Sequence, residues 1–224
     1  MVSGSSPLLL MFLKLMLNLI KVNSISPKLK TFFEKDYNTL DLYLKQLQMI
    51  FPNTIVKSHL NNFEIELHVS KDNLSSILWF LKNDSTGIFS ILTDIIAVDL
   101  YSVADATEDR FCVLYSLLSV EYAQRLTIIV QTNSTLPSCV NIFSGAQWLE
   151  REVSDLVGIT FENSNDTRRI LTDYGFFGHP LRKDFPLSGF SEVYYDPLIN
   201  NVITTAVSLS QEYRDFSFSA TWEI

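Results

Sequence analysis

Four of the chain's seven arginines, Arg151, Arg168, Arg169 and Arg182, lie between residues 148 and 196, with Lys183, His179 and four of its seven glycines. Cations at that density can clamp carboxylates or carbonyls through forked or charge-assisted hydrogen bonds. Covalent chemistry has less support. A Ser188, His179, Asp184 trio can be assembled on paper, but such trios can be drawn in most chains of this size. Glu150 and Glu152 stand two apart, so on a helix they point roughly 200° from each other and cannot flank one bond. Nucleophile elbow, P-loop, dinucleotide glycine loop and HExxH are all absent. Gly175 and Gly178 in GFFGHP follow no strand signal. These residues read as a binding ribbon, not as a catalytic centre.

Bulk properties agree. A net charge of −8 excludes sequence-independent nucleic-acid binding, which needs a basic footprint. Cys112 and Cys139 have no metal-type spacing and read as buried small hydrophobes in a reducing compartment. No internal repeat is visible. At 224 residues the chain can bury one good-sized core with extensions.

The elements that must position the ribbon follow in order. Residues 1–33 hold no acid, and Leu8 to Ile20 is almost wholly apolar. That run is shorter than the roughly 20 residues of a membrane span, although its acid-poor, Leu-rich character is that of a targeting peptide. Residues 1–30 are therefore expected as an apolar, helical extension docked on partners. Thr31 to Ile50 has helical spacing (Phe33, Tyr37, Leu40, Leu44, Leu47), ended by Pro52. A hairpin turning at Asn61-Asn62 would pair Leu60 with Phe63, Ser58 with Ile65 and Val56 with Leu67 on its apolar face. His59 and His68 would then sit on the solvated face, too far apart to share a metal. A helix over Asp72–Asn83 and strands over Phe89–Leu100, Phe111–Val120 and Leu126–Gln131 come next. The hairpin connections predict an α+β fold: a mainly antiparallel sheet with helices packed on one face, followed by a long extended C-terminal arm.

The last helix is expected to open on a Ser144/Gln147 capping box and close at Gly158. Leu149, Val153, Leu156 and Val157 should face the sheet, and Trp148, Arg151, Glu152 and Asp155 a partner. Beyond it some forty residues show neither helical nor strand period. Such runs inside a compact domain are usually functional or disordered, and this one is too rich in aromatics (Phe176, Phe177, Phe185, Phe190, Tyr194) for disorder. The division is 31–160 for the platform domain and 161–224 for an arm that wraps another protein. Arg168, Arg169, Arg182 and Lys183 would clamp that partner. Gly175, Gly178 and Gly189 would allow tight bends, and Pro180, Pro186 and Pro197 would hold the pieces between them extended.

The runs Trp148-Leu149-Glu150-Arg151-Glu152, Arg168-Arg169-Ile170-Leu171-Thr172-Asp173-Tyr174-Gly175-Phe176 and Gly178-His179-Pro180-Leu181-Arg182-Lys183-Asp184-Phe185-Pro186-Leu187-Ser188-Gly189-Phe190 closely resemble the thirty-kilodalton subunit family of respiratory complex I. Asp155, Gly158 and Phe161 fit the same pattern. Weaker similarity runs from Leu92 to Asp99, Tyr115 to Ser119 and Leu209 to Arg214, covering about 140 residues. Departures fall at Asn163–Thr167, Ser154 and Thr205–Ser208. The resemblance implies a non-catalytic core subunit of the peripheral arm of a proton-translocating NADH:ubiquinone oxidoreductase. It adds Asp173, Tyr174, His179, Asp184 and Phe185 to the interface residues. The partners implied are the large quinone-binding subunit and neighbouring iron–sulfur subunits. FMN, iron–sulfur clusters and ubiquinone would sit on those other chains, with no cofactor or metal on this one. The implied location is the matrix side of the mitochondrial inner membrane, reached through the complex and not through a span. A subunit of a related energy-converting hydrogenase, or a free-standing hydrolase, are the alternatives.

Overall fold

Runs rich in Ile, Val, Leu, Phe and Tyr build the centre of the chain. In the computed structural model, which describes residues 27–61, 64–101, 109–211, 213, 214 and 216, with side chains from residue 39 onward, those runs become one five-stranded sheet. Helix α1 (Pro27–Ile50) is followed by β1 (Ile55–Asn61) and β2 (Glu64–Val69). After a single 3-10 turn come α2 (Leu74–Asn83), β3 (Ile91–Asp99), β4 (Phe111–Ser119) and β5 (Gln124–Thr132). Then follow β6 (Thr135–Pro137), α3 (Ala146–Leu156), β7 (Thr160–Glu162), β8 (Ser191–Asp196) and β9 (Asn201–Ala206). The apolar extension expected over residues 1–30 lies, up to residue 26, outside the described residues. Among the described residues no helix is long and apolar enough to cross a membrane.

The strand order is β1-β2-β5-β4-β3. Three neighbouring pairs are antiparallel and β2–β5 is parallel, so the sheet is mainly antiparallel as its hairpins require. The parallel pair was not foreseen. It arises because α2 and the β3–β4 hairpin intervene between β2 and β5. On β4, every second residue from Phe111 through Tyr115 to Ser119 is buried and the intervening ones are half-buried. One face of the sheet is therefore covered by helices and the other is open. Leu40, Leu44 and Leu47 of α1 and Leu74, Ile77, Leu78 and Leu81 of α2 join Ile65, Leu67, Leu126, Ile128 and Val130 in one core.

Three local expectations fail. In the first hairpin Leu60 pairs with Ile65 and Ser58 with Leu67, two residues on from the register expected from an Asn61-Asn62 turn. A shift of two keeps side chains on their faces, so the apolar side is unchanged. An irregularity between Ile55 and Lys57 turns Ile55 inward and leaves Val56 exposed. The same shift brings the His59 and His68 rings edge to face at 6.0 Å, correcting the expectation that they stand far apart. Burial, then the neighbouring His59 and Lys57, lowers the pKa of His68. At α3 the capping box does not form: Gly145 occupies the N-cap with no side-chain hydrogen bond.

Ile128 is wholly buried at the middle of the sheet. Ile128→Ala should lower the unfolding free energy of the purified chain by about 2–5 kcal/mol, measured by urea denaturation.

Candidate functional site

The last carbonyls of an α-helix lack intrahelical partners, and at the end of α3 the following chain reaches those of Asp155 and Leu156 and of the two residues beyond. Gly158 takes a φ of +82°, which ends the helix in the left-handed turn that glycine tolerates. His179 Nδ1 lies 2.9 Å from the Asp155 carbonyl oxygen. The Leu181 N–H donates to Leu156 O at 3.0 Å. Arg182 Nε donates to Val157 O at 2.6 Å and its Nη2 to Gly158 O at 3.3 Å. Four consecutive carbonyls are thus capped by His179-Pro180-Leu181-Arg182. A Cβ at Gly158 would overlap both the Arg182 guanidinium and the His179 ring, so this close approach needs glycine.

Asp155 holds a second part of the ribbon. An acid in the last turn of a helix opposes the macrodipole, and this one is also only 2% exposed. Its compensation comes from the ribbon. One oxygen accepts the N–H groups of Ile170, Leu171 and Thr172 at 3.2, 2.8 and 3.0 Å, and the other the Thr172 hydroxyl at 2.7 Å. Arg169 stands 3.5 Å away and also donates to Gly178 O at 3.0 Å. Burial pulls the carboxyl pKa upward, but the Thr172 amide and hydroxyl and the amides of Leu171 and Ile170 outweigh it, and the net direction is down.

A third fastening ties the ribbon to the end of β3. Arg110 forks onto Asp99 at 2.9 and 2.7 Å and onto Asp184 at 2.9 and 3.3 Å. Its guanidinium lies 4.8 Å from the Tyr101 ring centroid and 5.0 Å from that of Phe111. Asp99 also accepts the Lys183 N–H at 2.9 Å. The Arg110 hydrogen bonds hold the pKa of Asp99 down at about 2 and lower that of Asp184.

The expected interface residues therefore divide. Arg169, His179, Arg182 and Asp184 grip this chain's own helix end and sheet edge, and Asp155 is buried beneath them. This corrects the expectation that Asp155 faces a partner and that these cations reach outward. Arg151 donates to Arg168 O at 2.9 Å and lies 3.5 Å from Asp166, while Arg168 forks onto Asp166. The Asp184–Arg110 fork and the bonding of His179 to a carbonyl leave no Asp–His relay beside Ser188. The prolines sit in turns, not extended pieces: Pro180 lies inside the turn closed by Arg182 N–H to His179 O, and Pro186 begins the one closed at Gly189. Gly178, at a φ of +103°, lies against the Phe185 ring, which also meets Phe176 and Phe190 at 6.0 and 5.3 Å. Residues 191–206, expected as part of the extended arm and irregular as far as about residue 198, form the β8–β9 hairpin.

What faces outward is apolar. From residue 162 to 211 no residue is buried. Thirteen large hydrophobics are exposed there, among them Tyr174 at 103%, Phe177 at 88%, Leu187 at 80% and Leu198 at 91%. Trp148, with Arg151 stacked 5.1 Å over its ring, is exposed on α3, and Glu152, Asp173 and Lys183 are exposed as well.

Sequence reasoning missed Arg110 and Glu150. Glu150 is 1% exposed and accepts the Cys139 N–H at 2.7 Å, the Cys139 thiol at 3.2 Å and the Ser138 hydroxyl at 2.8 Å. Burial, then the nearby Glu150, pushes the Cys139 thiol pKa up. The signal for Glu150 was its place in the apolar stripe between Ala146 and Val153. Cys112 is only half-buried. Among the described residues no group of three or more His, Cys, Asp or Glu side chains could hold a metal ion.

The family model of the respiratory-chain NADH dehydrogenase 30 kDa subunit matches residues 67–191. NADH-ubiquinone oxidoreductase subunit 9 of Reclinomonas americana is 43% identical over 176 residues, 78% of this chain and 84% of that one. The corresponding NADH-quinone oxidoreductase subunit of Roseobacter denitrificans is 46% identical over 164 residues, 72% and 80% of the two chains. The fold is also shared with a chain of the archaeal membrane-bound sulfane sulfur reductase. That chain is 23% identical, with a TM-score of 0.55 over 66% of this chain and 85% of its own.

The fastened carboxylates set a pH dependence. Their folded pKa values lie below the unfolded value of roughly 3.9. Their stabilisation is therefore complete above about pH 4 and is lost as pH falls through the folded values, towards pH 2 for Asp99. Wild-type chain should lose stability to urea between pH 7 and pH 3, and Asp155→Asn, already without one fastening, should lose less. At pH 7.5 the same variant should be cut by trypsin after Arg168, Arg169 or Lys183 several-fold faster than wild type.

Proposed function

Because the chain belongs to the family of the 30-kDa subunit of respiratory-chain NADH dehydrogenase, we propose that its own contribution to that complex is architectural. It is a subunit of the NADH–quinone oxidoreductase of the respiratory chain, complex I. The observation that carries the architectural reading is the segment 162–211, in which Arg169, His179, Arg182 and Asp184 bond to this chain's own helix end and sheet edge while thirteen large hydrophobics are exposed. A ribbon that spends its hydrogen bonds on its own domain and leaves aromatics outside is built to be covered. Contiguous exposed apolar surface of this kind marks an interaction site. Burying one Phe or Leu side chain contributes about 1.5–3 kcal/mol, so several such residues on a fastened ribbon provide ample docking energy.

The partner we infer is the large quinone-binding subunit, with iron–sulfur subunits alongside, in the peripheral arm. The domain of residues 31–160 serves as platform and the segment beyond 160 as the docking arm. Trp148 and Glu152 extend the same surface, with Tyr174 and Phe177 as its anchors. Fastening the ribbon before it docks removes much of the ordering entropy that association would otherwise have to overcome. Flavin, clusters and quinone belong to the other chains in this reading, and the site is the matrix face of the mitochondrial inner membrane.

Phe177 is exposed in the free chain, so Phe177→Ser should leave its urea midpoint unchanged and lower assembled complex on a native gel several-fold. The complex that does assemble should turn over NADH at a near-normal rate. Arg182→Ala, which removes the guanidinium that caps the Val157 and Gly158 carbonyls, should lower both the stability of the free chain and assembly. Normal assembly with lost turnover in either variant would contradict the architectural role.

A further inference from the structure

The β8–β9 hairpin has no core of its own. None of its residues is buried, and Val193, Tyr195 and Val202 on its fully exposed face are each more than half accessible. An isolated two-stranded hairpin is marginal in water at best. Its register runs unbroken from Ser191↔Ala206 to Asp196↔Asn201, and the Val207 N–H donates to Phe190 O at 3.2 Å. Antiparallel pairs alternate between hydrogen-bonded and open. With 190/207 bonded, Glu192–Thr205, Tyr194–Ile203 and Asp196–Asn201 exchange their bonds inside the hairpin. The main-chain groups of Val193 and Tyr195 then point out along one edge, and those of Val202, Thr204 and Ala206 along the other. Among the described residues no further strand pairs with either edge.

The two edges differ. Natural edge strands are blunted by charge, proline or bulges. Strand β8 carries Glu192 and Asp196, whereas β9, Asn-Val-Ile-Thr-Thr-Ala, has no charge, no proline and no irregularity. Resting on the docking role assigned to the arm, we propose that β9 pairs edge to edge with a strand of a neighbouring subunit of the complex. Main-chain bonds from Val202, Thr204 and Ala206 supply affinity, and the exposed side chains of Tyr195 and Val202 supply the side-chain contact. Residues 185–211 contain Glu192 and Asp196 and no lysine or arginine. The strand that joins β9 therefore belongs to a basic surface. A second copy of this chain, with its net charge of −8, would bring like charge instead.

Proline tests each edge separately, because an outward N–H can be removed without breaking a bond within the hairpin. Thr204→Pro should lower assembled complex several-fold, and Val193→Pro should assemble like wild type. In the intact wild-type complex the amides of Val202, Thr204 and Ala206 should exchange at least about tenfold more slowly than in the free chain. Normal assembly of Thr204→Pro with those three amides unprotected would overturn the proposal, as would failure of Val193→Pro alone. Protection of the same amides in a concentrated solution of the free chain, through a homodimer, would also overturn it. Should Phe177→Ser assemble poorly while Thr204→Pro assembles normally, the arm's docking role stands and the strand pairing falls. If both assemble normally, both fall.

Discussion

The carboxyl end of α3 is the constraint on which the rest of the arrangement depends. A helix that stops at Gly158 leaves its last carbonyls to be satisfied, and an acid in its last turn must be neutralised against the helix dipole. One segment does both: residues 170–172 wrap the Asp155 carboxylate and residues 179–182 cap the carbonyls from Asp155 to Gly158. Neither half is worth much alone, since a neutral intramolecular hydrogen bond contributes a net 0.5–1.5 kcal/mol or so. Leaving the same groups buried and unpaired would cost more than forming the bonds gains, so the ribbon and the helix end specify each other.

From that fastening the outward geometry follows. The turns at Asp173–Phe176, His179–Arg182 and Pro186–Gly189 send the backbone back toward the domain and the side chains of Tyr174, Phe177 and Leu187 away from it. The Arg110 fork, holding Asp99 and Asp184 together, fixes the far end of the ribbon to the sheet. The result is a surface on which Arg169, His179, Arg182 and Asp184 are already bonded within the chain and many large apolar side chains are exposed. On the docking role proposed above, that division separates two tasks: the ribbon is held to its own domain by hydrogen bonds and docks by its hydrophobic side chains.

Much of the platform was legible in the sequence, because period-2 and 3.6 patterns report which face is buried. Leu74, Ile77, Leu78 and Leu81 lie where the spacing puts them, and β4 falls within the apolar run over Phe111–Val120, although its alternating burial is not an alternation of residue types. The parallel β2–β5 pair was not legible, since hairpin signals describe only neighbours in sequence. The first hairpin slipped by two residues because a shift of two preserves the apolar pattern. In the site, the cations were singled out by type, but the groups they bond within this chain were not. An arginine aimed at a carbonyl of its own chain and one aimed at a neighbour look alike in sequence. Asp155 and Glu150 did carry signals, an acid at the wrong end of a helix dipole and a charge inside an apolar stripe, and both mark internal bonds. The hairpin beyond residue 190 was hidden because its strands lack the alternation that a one-sided core imposes.

Hydroxyl-radical footprinting of the free chain and of the intact complex tests most directly whether the fastened ribbon is a docking surface. Tyr174, Phe177, Leu187 and Leu198, all highly exposed in the chain by itself, should be oxidised freely there and shielded in the complex, with the exposed Tyr122 of the β4–β5 turn as the reference. Equal oxidation of these four residues in both states would contradict the account.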